Sequence, residues 1–274
     1  MTRLVSAGDV ADELVGFLQR EEKKAMKVQV VLTVSESKRL IARAVARMRQ
    51  VKKALEHGLI AIGTGTTNSY VVEEMLGRKI DKTSYRSGIT VPAKPVAPVK
   101  LSSEIMPDVV LRDGVLVPEL DRFSAVKHMG PGDVFIKGCN ALHYPSKTAG
   151  ILIGSKDGGT IGAAIGHIVG RGVALVLPVG LEKAVFGDFH EISRTLAQEG
   201  ETVGYFPHMM PVWGTIVTEI EAIEILADAR AIHIAAGGVG GAEGAVRVLI
   251  SGEPDRVKRA LNIVEGIQGE PPWA

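Results

Sequence analysis

Cysteine is almost absent from this 274-residue chain: Cys139 stands alone. No disulfide framework can form within one chain, and the cysteine-rich zinc patterns are excluded. Charge of one sign is lacking too. Lysine and arginine number 32 against 31 acids, a formal charge of +1, so no whole-molecule field draws the chain to nucleic acid or anionic lipid. No apolar run approaches the roughly 18 residues of a membrane span, and Met1 to Lys27 mixes acids and bases where a signal peptide needs an apolar stretch. A soluble, cytoplasmic protein is expected, without nucleic-acid or membrane partners. Asparagine occurs only at 68, 140 and 262, a scarcity that fits selection against thermolabile side chains and suggests a thermophilic source.

What is present is ordinary globular material. The chain is 46% hydrophobic and 23% charged, long enough for one large domain or one domain with a smaller companion. Glycine is the exception, at 32 residues, or about 12% against a usual ~7%, which assigns much of the ligand work to backbone loops.

The pattern divides into three parts. Residues 1–34 read as an attachment, with an amphipathic helix over 8–26 and a short apolar run at 28–32. Residues 35–199 read as an α/β core. Ser35 caps a helix whose apolar positions run from Leu40 to Leu55. The strand Leu59–Ile62 breaks at Gly63-Thr64-Gly65-Thr66-Thr67 into another helix. The proline-bearing stretch 81–99 is extended, and 108–117 is a hairpin turned at Asp113-Gly114. A strand over 133–137 ends on Gly138-Cys139-Asn140. A further strand over 149–153 leads through Gly154 to Thr160 into a small-residue helix, and 173–177 is the last strong strand. Apolar strands alternating with helices predict a Rossmann-like, mostly parallel sheet covered on both faces. Residues 200–274 read as a small α+β unit, ferredoxin-like in half, serving as lid or interface: a helix over 219–227, strands at 231–235 and 245–250, and a final helix after Pro254. The glycine-rich link 237–244 is a hairpin connection on this reading.

A glycine loop after a parallel strand aims backbone N–H groups and a helix N-terminus at the carboxyl edge of the sheet, where an anion is favoured. Gly63 and Gly65 let a ligand approach the backbone, and Thr66 and Thr67 add hydroxyls. The loop matches neither the P-loop nor the full dinucleotide fingerprint, which disfavours a nucleoside triphosphate or NAD. The second loop adds Lys156 as a point charge, with Asp157, Gly158 and Gly159 beside it. A purely structural role in helix packing is the competing explanation for both loops. Cys139 reads as a buried small residue, and no histidine spacing makes a metal site.

The order of these pieces over roughly residues 35 to 190 resembles the superfamily of ribose-5-phosphate isomerase, glucosamine-6-phosphate deaminase and coenzyme A transferases. Gly63-Thr-Gly-Thr-Thr67 is similar to its phosphate loop, and Asp133-Val-Phe-Ile-Lys-Gly-Cys-Asn140 to the strand that ends in its acidic motif. Lys156-Asp-Gly-Gly-Thr160 resembles its Lys-Gly-Gly-Gly loop, and Leu177 to Lys183 a further strand end. The resemblance implies phosphate binding by Thr66, Thr67 and Lys183 with help from Lys38, an oxyanion held by Lys156, no cofactor, and a homodimer. The chain departs from that pattern at Asn140 and His143, which stand where the family carries carboxylates. An amide cannot act as a general base, which leaves His143 and Asp157 as candidates for proton transfer.

Two functional readings follow. In one, an isomerase- or transferase-type enzyme binds a phosphorylated or carboxylated metabolite at Lys38, Gly63 to Thr67, Asn140, Gly158, Gly159 and Lys183, with His143, Asp157 and Lys156 at the reacting centre. In the other, a ligand sensor or assembly protein keeps the anion pocket and lacks the chemistry.

Overall fold

The computed structural model describes residues 25–95 and 97–274; the helix expected over 8–26 lies almost wholly outside the described residues. The chain is α/β, with eight α-helices among those residues. Its centre is a six-stranded mixed sheet in the order β10-β8-β5-β2-β3-β4, where β2 is Leu59–Ile62, β3 Val109–Arg112, β4 Val115–Leu116, β5 Val134–Ile136, β8 Ala174–Pro178 and β10 Thr215–Val217. The pairs from β10 to β2 are parallel, and those of β2 with β3 and β3 with β4 antiparallel. All residues of β2 and β5 are buried, as their unbroken apolar runs require of strands covered on both faces.

The β3–β4 hairpin turns at Asp113 and Gly114, both at positive φ (51° and 77°), the backbone hand that a two-residue turn needs to match strand twist. Tyr85 anchors the irregular stretch that follows Lys82–Ser84. Its buried hydroxyl donates to the Ile62 carbonyl and accepts from the Val109 N–H.

Helix α1 spans Val34–Arg47 and α2 Arg49–His57, where the sequence pattern suggested one continuous helix. Met48 breaks it with an extended ψ of 140°. Both halves keep their apolar face toward the core, so periodicity does not reveal the break. The cap is Thr33 rather than Ser35: the Glu36 N–H donates to Thr33 Oγ1 and the Thr33 N–H to Glu36 Oε2 at 2.8 Å, a reciprocal capping box. Helix α3 (Thr66–Leu76) follows β2, α4 (Arg122–Ala125) precedes β5, and α5 (Gly159–Arg171) precedes β8.

The strand expected at 149–153 forms, as β7 (Thr148–Ile153), but in a separate antiparallel sheet between β6 (Ala141–His143) and β9 (His208–Trp213). A short apolar run does not say which sheet it joins; the hairpin with β6 decides that. Helix α6 (Phe189–Leu196) follows β8. Helix α7 (Glu219–Ala227), strands β11 (Arg230–Ala236) and β12 (Val246–Gly252), and helix α8 (Pro254–Glu265) close the chain. Strand β1 (Met26–Leu32) pairs antiparallel with β12, giving a third sheet ordered β1-β12-β11, which therefore draws on residues from near both ends of the chain. The 237–244 link joins β11 to β12 with Gly237, Gly240, Gly241 and Gly244 at positive φ. Among the described residues no helix is long and apolar enough to cross a membrane.

Candidate functional site

Four parallel strands direct their carboxyl ends to one edge, and the residues just beyond each of them meet there. After β2, the Gly63 N–H donates to the Ile136 carbonyl and the Gly65 N–H to the Tyr85 carbonyl, so these two amides are engaged within the protein. Thr64 is buried and bonds Ser87 through its hydroxyl at 2.8 Å. Gly65 is the N-cap of α3 and supplies no side-chain cap, which leaves the first-turn amides of Thr66, Thr67 and Asn68 to find partners elsewhere. Thr67 is 2% exposed and Asn68 fully buried. Neither Thr67 Oγ1 nor Asn68 Oδ1 has a hydrogen-bond partner, while Asn68 Nδ2 donates to the Gly63 carbonyl at 2.6 Å. Orphaned buried polar atoms are uncommon and cost about 1–3 kcal/mol each.

After β5, the stem of Lys137 lies over Gly63, where a Cβ would come within 3.1 Å of Lys137 Cδ and 3.6 Å of Thr160 Cγ2. Lys137 Nζ donates to the Gly138 carbonyl at 2.9 Å. Burial holds its pKa below the ordinary lysine value, opposed by the Cys139 thiol and assisted by Lys183 and Arg122. Cys139 is buried, and burial pushes its thiol up to about 11, so it stays protonated and a poor nucleophile.

After β8, Lys183 Nζ donates to the Cys139 carbonyl at 2.9 Å. Glu182 folds back over Gly180, where a Cβ would lie 1.8 Å from Glu182 Oε2, so only glycine accommodates this placement. That oxygen is buried without a partner.

After β10, Thr218 caps α7 and the next residue, Glu219, is fully buried. Its Oε2 accepts from the Leu181 N–H at 3.0 Å, and its Oε1 has no hydrogen bond. Burial and the neighbouring Glu182 carboxylate push Glu219 up to about 7, against the opposing pull of the Ser37 hydroxyl and backbone N–H groups. Helix α1 brings Ser37 and Lys38 onto the same edge. Lys38 is 8% exposed, and burial lowers its pKa to about 8, with Glu182 opposing and Lys183 assisting.

The edge thus gathers Lys38, Lys137 and Lys183 with the carboxyls of Glu182 and Glu219, several of them under-satisfied. Gly65, Thr66, Gly138, Glu182 and Lys183 are half-buried and form its open side. Clustered ammonium groups can hold an anion by charge, and a carboxyl with a raised pKa can exchange a proton near neutral pH.

The other expected site residues lie apart from this cluster or are otherwise engaged. Thr160, at the end of the second loop, reaches the first loop and accepts from Arg122 Nε at 3.0 Å; Arg122 is ion-paired with Asp108. Lys156 and Asp157 are exposed. Gly158 and Gly159 take positive φ, and a Cβ on Gly158 would meet the Gly162 backbone at 3.0 Å, so close packing alone accounts for glycine at 158. Asn140 Oδ1 accepts from the Leu152 N–H at 3.0 Å across the β6–β7 hairpin. His143 Nδ1 bonds the Ser146 hydroxyl at 2.6 Å, with the ring edge-on to Phe189.

Glu182, Glu219, Ser37, Lys137 and Asn68 were not legible as site residues. Glu182 was adjacent to Lys183 within a stretch already singled out. Glu219 had no address, because Thr215–Val217 is too short a strand to read from sequence. Among the described residues no group of three or more histidine, cysteine, aspartate or glutamate side chains is arranged to hold a metal. No protein-family model matches the chain, and neither do any curated protein or solved structure.

Proposed function

We propose that this protein binds a small phosphorylated or carboxylated metabolite at the carboxyl edge of a Rossmann-like sheet and acts on it by proton transfer, as an isomerase- or transferase-type enzyme. Thr66, Thr67 and Asn68 at the uncapped start of α3, with Lys137 and Lys183, hold the anionic group. Glu219 exchanges the proton, aided by the Glu182 carboxylate that keeps its pKa near neutrality. The antiparallel unit carrying α7 and α8 supplies Glu219 and forms one wall.

The observation that carries this reading is Glu219: a fully buried carboxyl with one unpartnered oxygen, pushed up to a pKa of about 7 by burial and the neighbouring Glu182 carboxylate. Such a group costs stability and is matched to general acid–base work at neutral pH. A second reading, a ligand sensor without turnover, is favoured by Asn140 and His143, which stand at the positions of the resembling family's carboxylates and are engaged in local hydrogen bonds. A thermal-shift screen of inorganic phosphate, phosphosugars and acyl-coenzyme A compounds tests the binding step. The proposal expects a shift that Thr67→Val and Lys183→Met reduce. Turnover of a stabilising ligand, lost in Glu219→Gln, favours the enzyme; a shift without turnover favours the sensor; no shift with any probe overturns both.

A further inference from the structure

Lys38 is buried and differs from the half-buried lysines near it. Lys137 and Lys183 each donate to a backbone carbonyl at 2.9 Å, and Lys82, in the turn that follows α3, has Glu73 and Glu270 within 3.9 Å. Among the described residues, no hydrogen bond and no ion pair within 4.0 Å closes on the Lys38 ammonium, although the residue is only 8% exposed. The groups that act on it are Glu182 and Lys183, both from the turn after β8. Ser37, its neighbour on α1, stands beside Glu219 of α7. This position disfavours the charge, so a neutral, nucleophilic amine is within reach at neutral pH.

We propose that Lys38 is a covalent catalytic residue whose amine condenses with an aldehyde or ketone of the bound metabolite to form an imine. This inference rests on the binding site described above and narrows its ligand class to phosphorylated or carboxylated carbonyl compounds.

The chemistry balances without an external oxidant or reductant. The Lys38 ammonium gives up one proton to the Glu182/Glu219 pair, and the nitrogen lone pair attacks the carbonyl carbon while the C=O π electrons move to oxygen. That oxygen takes the proton from the pair while the nitrogen returns one of its two hydrogens to the pair as a proton, giving a neutral carbinolamine and leaving the pair protonated. The pair supplies a proton to the hydroxyl as the C–O bond breaks and water leaves, while the nitrogen lone pair forms the C=N bond. The product is a protonated imine that keeps one hydrogen on nitrogen. In sum, one ammonium and one carbonyl become one iminium and one water. The iminium then draws electrons from the adjacent carbon, so a hydrogen on that carbon becomes acidic enough for a carboxylate to remove. With its pKa near 8, about one Lys38 in ten is neutral at pH 7, against fewer than about one in a thousand for an ordinary lysine.

The test treats the full chain with glyceraldehyde 3-phosphate or pyruvate and sodium borohydride at pH 7, then maps the reduced adduct by peptide mass spectrometry. Labelling at Lys38 is expected to exceed that at an exposed lysine such as Lys52 by about tenfold or more, and to be suppressed by excess inorganic phosphate. Lys38→Arg keeps the positive charge and removes the nucleophile, so it should lose the adduct while retaining the thermal shift with phosphate. A phosphate shift in the natural chain with no adduct at Lys38 from either carbonyl overturns the imine and leaves the anion site standing. Neither shift nor adduct overturns both. Labelling spread evenly over surface lysines also overturns the imine, and Lys38→Met provides a second control should Lys38→Arg fail to fold.

Discussion

Lys38 and Arg39 are adjacent on one helix, both cationic and both buried, with opposite surroundings. Arg39 is enclosed by carboxylates: it pairs with Glu73, with Glu74 at 2.9 Å and with Glu270 at 2.9 Å, and its guanidinium lies over the Tyr70 ring. Burial opposes its charge, but the hydrogen bonds it donates to Glu270, Glu73 and Glu74 outweigh burial and raise its pKa above the ordinary value. These bonds tie α1 to α3 and to the C-terminal tail, which is also held by the Gly269 N–H on Glu36 and by Trp273 on Ser69. Lys38 points to the sheet edge and has no such partner. The difference separates two uses of a buried charge: a compensated one fixes the fold, whereas an uncompensated one stays reactive and costs stability.

The largest test of this contrast is Arg39→Met. It leaves Glu73, whose side chain is 3% exposed, with only Lys79 and Lys82 nearby, and should destabilise the protein by about 3–5 kcal/mol in denaturant unfolding. A loss below about 1 kcal/mol would remove the structural role given to this network.

Next in size is a pH effect. Glu219 titrates near 7 in the folded protein and from 4.5 without the fold. A raised carboxyl pKa means that the folded state keeps its proton longer, so Glu219 imposes no penalty below about pH 4.5, an increasing one up to pH 7, and a full one above. Between pH 5 and 8 the natural chain should therefore lose about 2–3 kcal/mol relative to Glu219→Gln. Parallel pH profiles of the two proteins would contradict the assignment.

Lys38→Met should stabilise the ligand-free protein at pH 7 by about 1–2 kcal/mol, because it removes a charge whose desolvation outweighs the attraction of Glu182. The sign is opposite to that for Arg39→Met, so a stability loss in both would erase the contrast. The stabilisation should fade as pH rises from 8 to 10.5, where the Lys38 amine is neutral in either state. The smallest effect on stability belongs to Thr67→Val. Because the buried hydroxyl makes no bond, its removal should stabilise the ligand-free protein by about 1 kcal/mol, while phosphate binding weakens by about 1 kcal/mol in calorimetry.

Much of the architecture was legible because it rests on local rules. The α7 boundaries follow from Thr218 and Glu221, which form a capping box at the start of the helix, and the β3–β4 turn follows from Asp113-Gly114. The placement of β7 was not legible, since its sheet depends on pairing with β6 and β9. The site divided in the same way. Gly63 to Thr67 were singled out from a loop after a readable strand, and Lys38 and Lys183 only through the family resemblance. Glu219 was missed because its position depends on β10, three residues whose strand character comes from lying beside β8.

The sequence alone determined the alternation of strands and helices, the glycine loops and the scarcity of thiols, because backbone sterics and hydrophobic periodicity act over a few residues. Tertiary structure decided which charges would meet. Glu182 and Glu219 are separated in the chain by helix α6 and strands β9 and β10, yet they share one edge of the sheet. Only burial there, with the Glu182 carboxylate close to both, turns the helix residues Glu219 and Lys38 into groups that titrate near neutral pH.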